Sequence, residues 1–430
     1  MGFLLVATLF FILPHQNSTT AIDIISARKY FLQAKHILEK DNGRLWGKPL
    51  YGPMLFVDPA TRQVVANQGD SEGQLTKSGE IFVGNWPKNL PVANTTVTWL
   101  GMKWSVILWP LPQDKFERAR LMVHESWHCV QNELGFPSTF PGNNHLDPAV
   151  GRIWLQLEWR ALAKALGHHG AKRLQAITDA LVFRARRRQL FEKAAAQECA
   201  LEMHEGLAEY TGFKLCGLAD EQLPKTMARQ LDKTPQKMET FVGSFAYVSG
   251  PAYGILLDET GVDWRKNLKS PNDLGFLLQQ AFKITLPMNL QEVAEQRLKR
   301  YDGEKLHAQE FKRENKRRQL LADYRARLVD GPVVILPLGQ IQISFDPGAL
   351  QPLDNLGTVS RTLKLSDVWG TLEVTNGALL AADWSQVQVP APAALNPRPL
   401  TGDGWTLTLN AGWEIFPAAR SGDYILRKTP

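Results

Sequence analysis

Two histidines stand four residues apart, with a glutamate directly after the first, in the sequence LMVHESWHCVQ of residues 121–131. On an α-helix such residues lie on one face, so His124 and His128 would direct their imidazoles at a common point. Two nitrogen ligands from one rigid element suit a tetrahedral zinc ion. Glu125 would stand beside that ion and could accept a proton from water. The spacing predicts a zinc site with Glu125 as general base; a histidine pair without a metal is the alternative.

A catalytic zinc ion requires a third protein ligand, and an acidic segment downstream offers candidates. The sequence ECALEMHEGLAEYTG predicts a helix on which glutamates recur at spacings of four, three and four, namely Glu198, Glu202, Glu205 and Glu209. We expect the four to line one face. Their small and apolar neighbours favour burial over a solvated acidic surface. A buried carboxylate requires a counter-charge, which a zinc ion would supply.

The two motifs together, HExxH and the downstream EGLAEY, resemble the gluzincin zinc peptidases, the thermolysin-like clan that includes the zinc aminopeptidases. The resemblance covers roughly residues 95–260 and is specific at the two motif helices. It implies that Glu205 is the third zinc ligand, with Glu202 as the alternative. It also implies that Glu209, one turn later, orients His124 through its free nitrogen.

Gluzincins also use a downstream tyrosine that donates to the oxyanion, often in a Y-x-x-G sequence before an apolar helix. The sequence YVSGPAYGILLD is similar, which implies this role for Tyr247, with Tyr253 as second choice and a packed core tyrosine as the alternative for both. Two features depart from the family. A gap of 76 residues separates His128 from Glu205, and the GxMEN element that binds a free amino terminus in aminopeptidases is absent.

The helix that carries HExxH is delimited by sequence signals. Asp114 is the predicted N-cap and Glu117 follows three residues later, as in a capping box. Apolar residues at helical spacing then continue to a predicted stop near Leu134–Gly135. The segment TWLGMKWSVILWPLP before this helix predicts a strand, which in gluzincins lies along the cleft and can pair with an extended peptide. A plain core strand is the alternative.

The predicted fold class is α+β. It comprises a small β-containing N-terminal lobe, a mainly helical zinc-peptidase-like core and a C-terminal all-β domain, either a sandwich or a barrel. Charges thin out after about Gly331, where short alternating runs appear between turn residues. The predicted divisions are a signal peptide at 1–21, the lobe at 22–113, the catalytic domain at 114–330 and the β domain at 331–430.

The 430 residues carry a net charge of +6, and basic residues concentrate in RARRR at 184–188 and again from 297 to 327. Mixed charges at helical spacing predict solvated helix faces. No fingerprint of a nucleic-acid-binding module is present, so we expect no nucleic-acid partner. The cysteines, Cys129, Cys199 and Cys216, allow at most one disulfide bond.

The amino-terminal segment Gly2–Leu13 is apolar but too short to span a bilayer as a helix. It fits the apolar part of a secretory signal peptide, with Thr19 and Ala21 flanking a cleavage site. No Lys or Arg precedes the run, which departs from the usual pattern. We expect an exported protein, periplasmic or secreted, without a stable membrane span. A buried first strand or an uncleaved anchor is the alternative.

These patterns predict a zinc-dependent peptide hydrolase, with Zn²⁺ as cofactor and a peptide or protein as substrate. Three alternatives stay open. One is a zinc hydrolase of a non-peptide amide or ester. Another is a non-catalytic exported protein in which Trp384, Trp405 and Trp413 contact glycan or cell wall. The last is a structural zinc protein, with Glu202 or Glu209 as fourth ligand.

Overall fold

The computed structural model describes residues 22–87, 90, 92–139, 142–238, 240–266, 268–269, 272–345, 350–395 and 398–429. The predicted signal peptide, residues 1–21, lies outside them. The architecture is α+β, as predicted. The chain divides into two compact units, residues 1–306 and 307–430. Within the described residues, none of the helices has the length and apolar character needed to cross a bilayer.

The first unit begins with a helix packed on a mixed sheet. Helix α1 is Ile24–Asp41, and the strands are β1 (Met54–Val57), β2 (Gln63–Ala66), β3 (Thr76–Ser78), β4 (Ile81–Asn85), β5 (Thr95–Trp99) and β6 (Met102–Leu108). The strand order is β3-β4-β2-β1-β6-β5, with β1 and β6 parallel. Side chains alternate along β1, so Phe56 packs on Phe31 of α1 while Leu55 and Val57 enter the core on the opposite face.

Helices make up most of the remaining first unit. They are α2 (Lys115–Val130), α3 (Ala149–Gly167), α4 (Gly170–Leu190), α5 (Ala194–Leu201), α6 (Leu207–Leu215), α7 (Leu223–Lys237), α8 (Ala246–Asp258), α9 (Leu274–Ala281), α10 (Leu290–Arg297) and the start of α11 (Gly303–Arg325). A π-helical turn, Glu202–Gly206, joins α5 to α6. Apolar faces of these helices share one large core that includes Trp127, Trp159 and Tyr210.

Helix α2 has the predicted boundaries. The Asp114 side chain accepts hydrogen bonds from the backbone N–H groups of Phe116 and Glu117, which fixes the first turn. At the other end a short 3₁₀ turn leads to Gly135, whose φ of 85° suits glycine. The ammonium of Lys103, on β6, donates to the last helical carbonyls at His128 and Cys129. The HExxH residues therefore stand on a helix that is fixed at both ends.

The second unit is rich in strands, as predicted for this part of the chain. Its strands are β7 (Val333–Pro337), β8 (Gln342–Phe345), β9 (Leu350–Leu353), β10 (Gly357–Ser360), β11 (Leu363–Asp367), β12 (Gly370–Val374), β13 (Ala378–Ala381), β14 (Gln386–Pro390), β15 (Leu400–Gly402), β16 (Trp405–Leu409), β17 (Trp413–Pro417) and β18 (Tyr424–Lys428). They form sheets of order β17-β18-β7-β14-β13-β10-β9 and β15-β16-β12-β11-β8. Both contribute to one core, for example through Val334 and Val387 of the first and Leu365 and Leu407 of the second.

The tryptophans of this unit serve its core. Trp405 is buried, and Trp384 and Trp413 are partly buried and pack against the same apolar cluster. The indole N–H of Trp405 donates to the carbonyl of Pro390 at 3.0 Å, and so has an internal partner. Trp405 therefore has no exposed face for stacking on a sugar.

Candidate metal centre

The structure brings His124, His128 and Glu205 together. The Nε2 atoms of the two histidines lie 3.1 Å apart on consecutive turns of α2. Oε2 of Glu205 lies 3.3 Å from Nε2 of His124 and 3.5 Å from Nε2 of His128. His124 and Glu205 are buried and His128 is partly buried. The three side chains form a cluster that could hold a metal ion.

The size and chemistry of this triangle fit a tetrahedral divalent ion. Zinc–ligand bonds of about 2.0–2.1 Å at tetrahedral angles place neighbouring donor atoms about 3.3 Å apart. The three observed separations, 3.1, 3.3 and 3.5 Å, bracket that value. Two imidazoles and one carboxylate are also the protein ligands of many catalytic zinc sites. We call His124, His128 and Glu205 the metal cluster.

The counter-charges of the buried glutamates set Glu205 apart. The other three glutamates of this stretch pair with arginines: Glu198 with Arg187, Glu202 with Arg184 and Glu209 with Arg120. The ion pairs of Glu205 within the described residues join it to the imidazoles of His124, His128 and His204 instead. Neutral imidazoles give a buried carboxylate no permanent counter-charge, so a bound cation could supply one.

The expectation that all four glutamates line one face is wrong. The π-helical turn Glu202–Gly206 has i→i+5 hydrogen bonding. The side chains after the turn are therefore rotated about the helix axis relative to those before it. Glu205 and Glu209 consequently point to the histidines, whereas Glu198 points to arginines. At the end of the turn, Gly206 meets Gly250 of α8 so closely that a Cβ on Gly250 would lie 2.4 Å from the Gly206 Cα.

The outer nitrogen of each histidine has a hydrogen-bond acceptor. Nδ1 of His124 lies 2.9 Å from Oε2 of Glu209, which confirms the predicted role of Glu209 in orienting that ring. Nδ1 of His128 lies 2.7 Å from Oε1 of Gln131. Donation from each Nδ1 leaves the Nε2 lone pair free to bind a metal ion. Arg120 holds Glu209 through a buried ion pair on its other oxygen.

The titration of the cluster is strongly perturbed. Burial lowers the pKa of His124, but hydrogen bonds to Glu205 and Glu209 outweigh it and raise that pKa to about 10. Burial would raise the pKa of Glu205, yet the His128 charge and hydrogen bonds from both histidines lower it well below its usual range. The metal-free cluster thus holds a proton that a metal ion would displace.

Glu125 has the properties of a base that works near neutral pH. Its carboxylate is buried, and its Oε2 has no hydrogen-bond partner in the described residues. Burial raises its pKa to about 6, against the opposing charges of His124 and His128. A carboxylate tuned to this range can both accept and release a proton at neutral pH.

Of the two candidate tyrosines, the structure places Tyr247 at the cluster. Its ring stacks on the imidazole of His124, with centroids 5.5 Å apart and planes within 7°. Burial and the charge of Glu205, to which its hydroxyl donates a hydrogen bond, raise the pKa of Tyr247 well above its usual value. Tyr253 lies elsewhere, since its hydroxyl donates to Oε1 of Glu158 at 2.8 Å.

A second buried charge cluster lies on α3, α4, α5 and the first residue of the π-helical turn. We call it the arginine cluster, and its members are Glu158, Arg184, Arg187, Glu198 and Glu202. The prediction that RARRR forms a solvated helix face is wrong at Arg184 and Arg187, which are 2% and 0% exposed. The alternative ligand Glu202 accepts two hydrogen bonds from Arg184 in this cluster.

Two residues near the metal cluster have no counterpart in the sequence-based prediction. Gln131 lies three residues after His128, a spacing that places both side chains on one face of a helix and could have drawn attention to it. His204 precedes Glu205, and its Nε2 lies 3.1 Å from Oε1 of that glutamate. The cysteines Cys129, Cys199 and Cys216 are free thiols and lie outside the ligand triangle.

Comparison of the chain with protein-family models, with curated proteins and with solved structures found no match in any of the three. The likeness to gluzincins therefore depends on the motif residues themselves. The geometry of the metal cluster is independent of that likeness, because it follows from the positions of His124, His128 and Glu205 alone.

Proposed function

We propose that this protein is a zinc-dependent peptide hydrolase of the gluzincin type. The observation that carries the proposal is the triangle of two imidazoles and Glu205, which pairs with no arginine of the described residues. Next to His124 stands Glu125, whose buried Oε2 has no hydrogen-bond partner in the same part of the chain. His124, His128 and Glu205 would hold the ion. The α+β core would correspond to the gluzincin arrangement of an N-terminal lobe with a sheet and a mainly helical lobe.

The reaction would be hydrolysis of an amide bond. When bound, zinc would polarise the scissile carbonyl and acidify a water molecule. Glu125 would take one proton from that water as its oxygen bonds to the carbonyl carbon. The same carboxyl would give the proton to the leaving nitrogen as the C–N bond breaks, so an acid and an amine result. Its pKa of about 6 suits both transfers.

Two further elements would serve the substrate. The hydroxyl of Tyr247 would turn from Glu205 and donate to the oxyanion that develops on the carbonyl. The segment predicted to lie along the cleft forms mainly β6, which pairs with β1 on one side and β5 on the other and is therefore an inner strand, as in the core-strand alternative. The terminal strand on this side of the sheet is its neighbour β5. A terminal strand offers backbone N–H and C=O groups to an extended peptide. An extended peptide could pair with β5 in this way, which a small amide or ester could not.

The other two alternatives receive less support. A structural zinc site would need Glu202 or Glu209 as fourth ligand. Glu202 is held by Arg184, and Glu209 bonds to the outer nitrogen of His124 rather than to the inner one. A glycan-binding role based on tryptophans would need exposed rings, and Trp405 is buried.

The test combines metal analysis with hydrolysis of a peptide library. Wild-type protein is expected to hold about one zinc per chain and to cleave peptides. Glu125→Gln should retain the zinc and lose roughly 10²–10⁴-fold in cleavage rate, because the general base is removed. Wild-type rates in Glu125→Gln would refute its role as base. Zinc binding with no cleavage of any peptide, but turnover of simple esters, would favour the non-peptide alternative.

A further inference from the structure

We infer that Gln131 and His204 are positioning residues that hold His128 and Glu205 in the orientation required for metal binding. This inference depends on the proposed metal site and concerns the side chains behind its ligands. Hydrogen bonds link His128 to Gln131 and Gln131 to His204, and an ion-pair contact links His204 to Glu205. The two ends of this series are the metal-facing atoms, Nε2 of His128 and Oε2 of Glu205. We call these four residues the ligand ring.

Four polar contacts join the residues of the ligand ring. Oε1 of Gln131 lies 2.7 Å from Nδ1 of His128. Nδ1 of His204 lies 2.8 Å from Nε2 of Gln131 and 3.1 Å from Oε1 of the same amide. Nε2 of His204 lies 3.1 Å from Oε1 of Glu205. The Gln131 side chain is fully buried, which makes loss of either bond costly.

The positions of the hydrogens in the ligand ring can be assigned starting from the carboxylate of Glu205. An ionised carboxylate only accepts hydrogen bonds, so the contact of His204 Nε2 with Oε1 of Glu205 favours the tautomer that carries hydrogen on Nε2. In neutral His204 the other nitrogen, Nδ1, then accepts, and the amide NH₂ of Gln131 is the donor that meets it. The amide oxygen of Gln131 is left to face His128 and accepts a hydrogen bond from its Nδ1.

This order of donors and acceptors selects the metal-binding tautomer of His128. With the hydrogen on Nδ1, the lone pair lies on Nε2, which is 3.5 Å from Oε2 of Glu205. A flipped Gln131 amide would present NH₂ to His128 and oxygen to His204. It would disfavour the correct tautomer of His128, and it would make the amide oxygen rather than the NH₂ the nearer contact of His204 Nδ1. Gln131 thus orients His128 directly and Glu205 through His204.

The ring complements the support of His124. That histidine is oriented by the charged pair Glu209–Arg120, whereas His128 is oriented by a neutral amide. Glu205 belongs to the ring through Oε1 and keeps Oε2 for the metal cluster. His204 itself lies outside the ligand triangle, so its role is to position Glu205 rather than to bind the ion.

The experiment measures the affinity for Zn²⁺ alone, by competition with a chelator, and the visible absorption of the Co²⁺-loaded protein. Gln131→Met keeps the side-chain volume and removes the hydrogen bonds of the amide to His128 and His204. His204→Phe keeps an aromatic side chain and removes the nitrogen that contacts Glu205. Gln33→Met is the matched control, because Gln33 bonds to the first turn of α2 at Lys115, far along the helix from the ligands.

Gln131→Met is expected to lose about 10–100-fold in Zn²⁺ affinity and His204→Phe about tenfold, with shifted Co²⁺ bands in both. The double variant should lose less than the product of the two, since one ring carries both effects. Gln131→Glu, which keeps an acceptor for His128, should fall between wild type and Gln131→Met.

Zn²⁺ affinities within twofold of wild type, with unshifted Co²⁺ bands, would overturn the positioning role and leave the metal site intact. If Gln131→Met fails to fold, His204→Phe decides the question alone by the same criterion. A wild-type protein that binds no Zn²⁺ would remove both the ring's role and the proposed function. The two failures are therefore distinguishable.

Discussion

Two buried clusters take their glutamates from the same helical stretch, residues 198–205. They differ in the cationic partner of the glutamate, which is arginine in one and imidazole in the other. The arginine cluster receives Glu198 and Glu202, and the metal cluster receives Glu205. Arginine stays protonated at every accessible pH, so its ion pairs need nothing further. Imidazole gives a positive charge only while it is protonated. A carboxylate buried among imidazoles can therefore exchange a proton for a metal ion, which one buried among arginines cannot do.

Burial of an acidic residue does not by itself identify a metal site. Glu198 is more deeply buried than Glu205, at 0% against 5% exposed. Both meet imidazole nitrogens, since His145 Nε2 lies 2.9 Å from Oε1 of Glu198. What separates them is arginine: Arg187 donates to Glu198 through Nε at 2.6 Å, while the ion pairs of Glu205 in the described residues are with ring nitrogens alone, at 3.1 to 3.5 Å. We expect the arginine cluster to determine stability and the metal cluster to determine ligand binding.

The largest expected effect is on metal affinity. Glu205→Gln should weaken Zn²⁺ binding roughly a thousandfold, since one of three protein ligands loses its charge. The metal-free protein should remain folded, because neutral imidazoles do not require a carboxylate. Chelator competition measures the affinity and circular dichroism checks the fold. A loss below tenfold would show that Glu205 is not a ligand.

The matched control is the same substitution in the other cluster. Glu198→Gln lies two helical turns before Glu205 and should leave the Zn²⁺ affinity of the folded protein close to that of wild type. Equal losses of affinity in Glu198→Gln and Glu205→Gln would contradict the division into two clusters, since they would mean that both carboxylates act on one site.

The next effect is on stability. Arg187→Met should lower the free energy of unfolding by about 3 kcal/mol, because Glu158 and Glu198 would stay buried and each would lose one of its two arginine partners. Urea unfolding of the metal-free protein measures this. Arg186→Met, in the same RARRR run but partly exposed, should change it by less than about 0.5 kcal/mol. Similar losses of unfolding free energy in both variants would show that the arginine cluster contributes no more to stability than an exposed arginine.

Local spacing made part of the molecule predictable. The HExxH helix, its Asp114 cap and the role of Glu209 follow from distances of a few residues along one helix. The choice of Glu205 came from a motif, because spacing alone left four glutamates open. The structure brings Glu205 to the histidines across a gap of 76 residues that no periodicity could bridge.

The burial of the arginines could not be predicted in this way. The pattern RARRR is the same on a solvated face and in a buried network, and only the carboxylates of α3 and α5 decide between them. The π-helical turn was equally hidden, since its sequence, EMHEG, fits an ordinary helix. Gln131 and His204 acquire their role through each other, at a separation of 73 residues.

The smallest expected effect is the acid dependence of stability that the arginine cluster produces. Burial would raise the pKa of Glu198, but the Arg187 charge and its hydrogen bond lower that pKa well below the usual 4.5. Below about pH 4.5 the unfolded chain therefore binds one proton at this residue that the folded protein does not. The depressed folded pKa means that stability is present above this pH and lost as the pH falls. The wild-type free energy of unfolding should fall by about 1.4 kcal/mol per pH unit more steeply than that of Glu198→Gln. Urea titrations of both metal-free proteins between about pH 5 and 3.5 measure the difference, and parallel slopes would show that Glu198 has no depressed pKa.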